Sequence, residues 1–197
     1  MNILYDSTFE DIKKILAKLR DSGGIIDFAE LSLILSPSRA RTSIRNLKKV
    51  GLIINDKNTF KMTEIGLKYL FSQKSEKKKI LFSCLNSLKP YRAFFEKIKY
   101  EKVEIFEIDY IQNIWGILAI NVNKRVLSSA FPLFCAILQE LELGEDKRGS
   151  FCFFKNYLDL LKNLSQLNRE FADYKKIEIQ KKSTKIEQIE NKAERLP

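Results

Sequence analysis

Residues 32–55 contain no aspartate or glutamate, yet Arg39, Arg41, Arg45, Lys48 and Lys49 all fall among them. Ala40, Ile44 and Leu47 interleave with these cations at spacings of three and four, which is one apolar stripe of a helix. With that stripe turned inward, Arg39, Arg41, Thr42, Arg45, Asn46, Lys48 and Lys49 occupy the flanks and outer face. A helix that is greasy on one side and cationic on the other suits duplex DNA. The duplex carries one negative charge per ~1.7 Å of axis, and its major groove admits a helix. Arginine adds a planar fork that matches the guanine edge, which a lysine ammonium cannot supply. Thr42 and Asn46 offer smaller hydrogen-bonding groups to other bases. Lys57 and Lys61, further along, are placed to reach flanking phosphates. The plain alternative is a solvated helix face, because exposed helices favour Lys and Arg in any case.

Other chemistry finds little support. The chain has 197 residues, a net charge of +10 and no histidine, which excludes Ser-His-Asp and Cys-His nucleophiles and His-ligated zinc. Cys84, Cys135 and Cys152 are odd in number, widely spaced and set among apolar neighbours, which reads as small buried hydrophobes rather than a disulfide framework or a metal site. The glycines are scattered, and none lies in a phosphate-binding loop pattern. The carboxylate pairs Glu104/Glu107 and Asp173/Glu178 lie on Lys-rich, surface-like segments. The expectation is a protein that is not an enzyme, with no cofactor and no metal. No basic-then-apolar leader is visible at Met1–Asp6, and no apolar run reaches the ~20 residues of a membrane span. That points to a cytoplasmic protein with no membrane contact.

The elements that must position the cations follow from periodicity. Phe9, Ile12, Ile15, Leu16 and Leu19 form a helical stripe, capped by Ser7 or Thr8 and ended by Asp21-Ser22-Gly23-Gly24. Ile25-Ile26 is a short extended piece. Asp27 caps a short helix over 28–35, and Ser36-Pro37 opens the cationic helix, which stops at Gly51. Leu52–Ile54 and Thr59–Met62 are strands flanking the turn Asn55–Asn58, and Thr63 caps another helix.

Two helices across a short turn, with a hairpin behind the second, have the layout of a helix-turn-helix with a wing. The residues that carry it are Phe28-Ala29-Glu30-Leu31, Ser36–Lys49, Val50-Gly51-Leu52-Ile53 and Phe60-Lys61-Met62-Thr63-Glu64-Ile65-Gly66. On these the chain resembles the winged helix-turn-helix superfamily over about residues 8–72. The resemblance implies a mainly α fold with small β-hairpins (α+β) and the cationic helix as the DNA reader.

The second half partly repeats the first. Ile108-Asp109-Tyr110-Ile111 answers Ile26-Asp27-Phe28-Ala29, with Asp109 standing for Asp27. A long helix over about 124–141 follows, which Pro132 should kink or split. Leu143–Phe153 reads as a second hairpin. The polar run Gln73–Lys79 is a linker or the first turn of a helix. The reading is therefore a winged-helix unit at 1–72, a second at 76–154, and a C-terminal helix with a polar tail at 155–197. Tyr157, Leu158, Leu161, Leu164, Leu167 and Phe171 form the stripe of that last helix, and Ile177, Ile179, Ile186 and Ile189 stand isolated in the tail.

The second long helix is apolar, with Glu140 and Glu142 at its far end, which suits protein contact rather than DNA. Trp115 and the phenylalanines at 82, 94, 95, 131, 134, 151, 153 and 154 sit at core spacings. The expected function is double-stranded DNA binding, specific or general, in the manner of a transcription regulator acting as a homodimer. The alternative is a winged-helix adaptor in a DNA-processing or antiviral-defence complex, binding protein partners through its second unit.

Overall fold

The computed structural model describes residues 3–117 and 123–165, and in them the chain is mainly helical with two small antiparallel sheets. The first half runs α1 (Phe9–Asp21), β1 (Ile25–Asp27), α2 (Phe28–Ile34), α3 (Pro37–Lys49), β2 (Ile53–Asp56), β3 (Thr59–Met62) and α4 (Glu64–Phe71). A connecting helix, α5 (Lys74–Asn86), leads to the second half. That half runs α6 (Lys89–Glu101), β4 (Ile105–Glu107), α7 (Ile108–Ile117), α8 (Lys124–Glu140), β5 (Gly144–Lys147) and β6 (Ser150–Phe153). Residues 157–165 are helical as well.

Local chemistry sets the boundaries. Thr8 Oγ1 accepts the Asp11 N–H at 3.1 Å, Asp27 Oδ1 accepts the Glu30 N–H at 2.8 Å, and Thr63 Oγ1 accepts the Gly66 N–H at 3.0 Å. These are side-chain caps on three helix starts. Ser36 precedes α3 without a side-chain cap bond, so the fixed φ of Pro37 opens that helix. Gly51, at φ 77°, ends it in the left-handed region that favours glycine.

The two halves follow one course. Sheet order is β1-β3-β2 in the first and β4-β6-β5 in the second. In the first sheet Asp27 lies opposite Thr59, and in the second Glu107 lies opposite Ser150. Register therefore matches Asp27 with Glu107. The match of Asp27 to Asp109 expected from sequence is two residues out, because it followed the Ile-Asp pair rather than the end of the strand. The carbonyls of Leu47 and Leu138 accept the amides of Leu52 and Leu143, each at 3.0 Å. That fixes α3 against α8 residue by residue.

α8 is one continuous helix, neither split nor interrupted at Pro132. The ring lies on its exposed side, and the carbonyl that loses its amide partner belongs to the exposed Ser128, where water can serve it. The run Gln73–Lys79 supplies the start of α5. The apolar sequence around 118–122, together with Leu167, Phe171 and the four tail isoleucines, lies outside the described residues.

One core spans both halves. Leu4, Phe9, Ile12, Leu16, Leu47 and Tyr69 line a small apolar void together with Leu81 and Ile137. Lys13 on α1 pairs with Glu140 on α8 at 2.9 Å. The apolar residues of α8, among them Leu127, Phe134, Cys135 and Leu138, are buried within this chain. Cys84 and Cys135 are buried and Cys152 half-buried, and desolvation pushes the Cys135 thiol up to about 12. Trp115 and the phenylalanines at 82, 94, 95, 131, 134 and 151 are core residues, while Phe153 is half-buried and Phe154 more open. Among the described residues no helix is long and apolar enough to cross a membrane.

Candidate nucleic-acid interface

Helix α3 is anchored by Ala40, Ile44 and Leu47, all buried, and each large aliphatic side chain so placed is worth about 1.5–3 kcal/mol. That anchoring decides what faces outward. Arg41, Arg45 and Lys48 are exposed, spaced four and three residues apart, and so form one stripe about 10 Å long. α3 contains no acidic residue, and its last turn holds Lys48 and Lys49. α2 precedes it across Leu35 and Ser36, and the β2–β3 hairpin follows it.

Two of the expected contact residues are turned to other work. Asn46 is 1% exposed. Its Oδ1 accepts the Tyr5 N–H at 2.6 Å, and its Nδ2 donates to the Tyr5 carbonyl at 3.0 Å and to Ser7 Oγ at 2.9 Å. The amide is spent on pinning the N-terminal segment against α3, so it does not belong to the exposed set. Arg39 forks onto Asp11, with Nε at 2.9 Å from Oδ2 and a second bond from Nη2 to Oδ1. Asp11 is itself 1% exposed, so Arg39 neutralises a buried carboxylate, and that hydrogen-bonded pairing raises the guanidinium pKa further. Half of the Arg39 side chain still meets solvent.

The others stay near the surface. Thr42 is half-buried and bonds back to the Ser38 carbonyl at 3.0 Å. Lys49 donates to the Ile3 carbonyl and stands 3.8 Å from the centre of the Tyr5 ring. The Arg45 guanidinium lies 5.7 Å from the same ring, and Arg41 lies 5.3 Å from the ring of Phe28. Lys57 sits at the hairpin tip with φ 55°, and Lys61 is exposed on the outer row of the sheet between Ile25 and Ile54. Asp56 precedes Lys57 in the chain, so the hairpin tip carries both signs of charge.

Sequence reasoning missed Tyr5 and Asp11. Asp11 reads as a dipole partner in a first helical turn, and only its burial beside Arg39 shows its role. The signal for Tyr5 is an apolar run, Ile3-Leu4-Tyr5, just ahead of a helix cap. Ile3 and Leu4 are buried, and the Leu4 N–H donates to Tyr91 Oη at 2.9 Å.

The second half supplies a comparison within the molecule. The α8 positions matched to Arg41, Arg45 and Lys48 are Pro132, Ala136 and Gln139. The backbone course is the same, but the cationic stripe occurs on α3 and not on α8. When the chain is set against protein-family models, curated proteins and solved structures, none of the three comparisons returns a match.

Proposed function

We propose that this chain binds double-stranded DNA, with α2 and α3 as a helix-turn-helix and the β2–β3 hairpin as its wing, in the manner of a transcription regulator. On this reading the two halves are tandem winged-helix units. The first carries the DNA surface, and the second is a scaffold that buttresses α1. The observation that carries the proposal is the exposed Arg41–Arg45–Lys48 stripe on a helix without a single acid. A chain with one such surface reads one half-site, so recognition of a symmetric site calls for two copies. The dimer is part of the proposal for that reason.

The test is a fluorescence-anisotropy titration of a duplex over a salt series. Each neutralised phosphate contributes about 0.9 to the slope of log affinity against log salt. Arg41→Ala with Arg45→Ala should make that slope shallower by about two and weaken binding at least about tenfold, with the melting temperature kept. A flat salt dependence in the parent protein defeats the proposal.

A protein-binding adaptor remains the rival reading. It is favoured by Tyr100 on α6 and Ile117 on α7, which are 86% and 80% exposed and line one groove with Ala93 and Ile114. An adaptor loses partner affinity on Tyr100→Ala and keeps it when α3 is neutralised, which is the opposite pattern.

A further inference from the structure

Among the described residues four basic side chains stand over aromatic rings, Lys13 of α1 over Phe9 and three that all lie on α3. Arg41 stands over Phe28 of α2, while Arg45 and Lys49 share Tyr5 of the N-terminal strap (residues 3–7). The strap is held at successive residues. Tyr91 Oη, on α6, takes the Leu4 N–H, and Asn46 takes both backbone groups of Tyr5. Lys49 adds a bond to the Ile3 carbonyl. Asn46 is matched in the second half by Ile137, which has no amide to hold such a strap, and α8 there carries no arginine stripe. The aromatic plate and the cations therefore occur together, in the same half.

We infer that Tyr5 is a positioning residue for DNA binding: its ring, fixed by Asn46, holds Arg45 and Lys49 against one plate so that they meet phosphate already ordered. This deepens the DNA-binding reading and rests on it. The physical ground is entropic and electrostatic together. Arg and Lys side chains lose considerable rotamer freedom when they dock, and a ring face that attracts them removes part of that loss beforehand. The ring contributes no charge of its own, so its effect on affinity must be independent of salt, unlike that of the cations it holds.

That difference is the test. Duplex titrations across a salt series are run on the full chain and on Tyr5→Leu, Tyr5→Phe, Phe28→Leu and Arg45→Ala, with melting temperature and circular dichroism recorded for each. Tyr5→Leu should bind about three- to tenfold more weakly at every salt concentration, on a line parallel to the parent. Tyr5→Phe, which keeps the ring, should lie within about twofold of the parent. Phe28→Leu should repeat the parallel displacement through Arg41, a second test of the same ring effect, and where Tyr5→Leu fails to fold a folded Phe28→Leu that binds like the parent counts against the inference. Arg45→Ala should flatten the slope by about one. The inference is overturned if a folded Tyr5→Leu binds like the parent. It is also overturned if Tyr5→Phe is as weak as Tyr5→Leu, or if loss of a ring changes the slope. A parent protein with no salt-dependent binding removes the underlying reading instead, and that result is told apart at once from a shifted parallel line.

Discussion

Arg45 and Ala136 occupy the same station in the two halves of the chain, each two residues before the leucine whose carbonyl accepts the amide beyond the helix end, Leu47 to Leu52 and Leu138 to Leu143. One backbone course thus carries a guanidinium in one place and a methyl in the other. The neighbouring pair Lys48 and Gln139, both exposed, gives a matched experiment. Lys48→Glu should weaken duplex binding by about tenfold or more, because it replaces attraction to phosphate with repulsion. Gln139→Glu should leave affinity within about twofold, since that helix faces no DNA on the proposed reading. Anisotropy titrations of the two variants check it, and equal losses would place DNA on both halves.

The Asp11–Arg39 pair makes a claim about folding rather than binding. Arg39→Ala strands a carboxylate that is 1% exposed, and a buried charge without its partner is strongly destabilising. Thermal melts should rank the parent first, the double variant Asp11→Ala with Arg39→Ala next, and Arg39→Ala alone last. Arg39→Lys should fall short of the parent, because an ammonium cannot make the two-toothed contact. A single variant as stable as the double would remove the pairing as the cause.

Two glycines should respond to alanine with opposite signs. A Cβ on Gly66 would stand 2.1 Å from the Leu52 carbonyl oxygen, an atom of the backbone that cannot move aside cheaply. Gly66→Ala should cost about 2–4 kcal/mol in urea unfolding. Gly116 lies in α7 with nothing within 4 Å of its would-be Cβ, so Gly116→Ala should stabilise by about 0.5–1 kcal/mol through helix propensity.

Glu142 carries the clearest acid response. It accepts from Lys74 at 2.8 Å and from Lys78, and those hydrogen bonds, with Coulomb attraction from both ammonium groups, hold its carboxyl down at about 2. A depressed carboxylate contributes stability above its ordinary value near 4.5 and loses it as pH falls through about 2. The site is half exposed, so solvent screening keeps the contribution below about 1 kcal/mol. Glu142→Gln should therefore be less stable than the parent at pH 6, and the gap should close toward pH 2 and in 1 M salt. A gap that persists at pH 2 would point to packing instead of charge.

Much of the course of the chain was legible because its signals are local. Thr8, Asp27 and Thr63 cap helices as their residue types dictate, and the period of Ala40, Ile44 and Leu47 tells which side of α3 is inward. What sequence could not show depends on distance in the chain. Asn46 lies next to the inward stripe, and whether it turns to solvent or inward is decided by Tyr5, forty-one positions earlier. Arg39 looks like any surface arginine until Asp11, twenty-eight positions before it, is found buried. The greasy face of α8 does call for a protein surface, and among the described residues α1 of the same chain supplies part of it.

That last arrangement governs how the molecule can be cut. A fragment ended after α4 would bare the sides of Leu4, Phe9, Ile12 and Leu16 that meet Leu81 and Ile137, and would free the Leu4 amide from Tyr91. Its oily flank would be open to water, and its leading residues would have lost one of their three moorings, keeping those to Asn46 and Lys49.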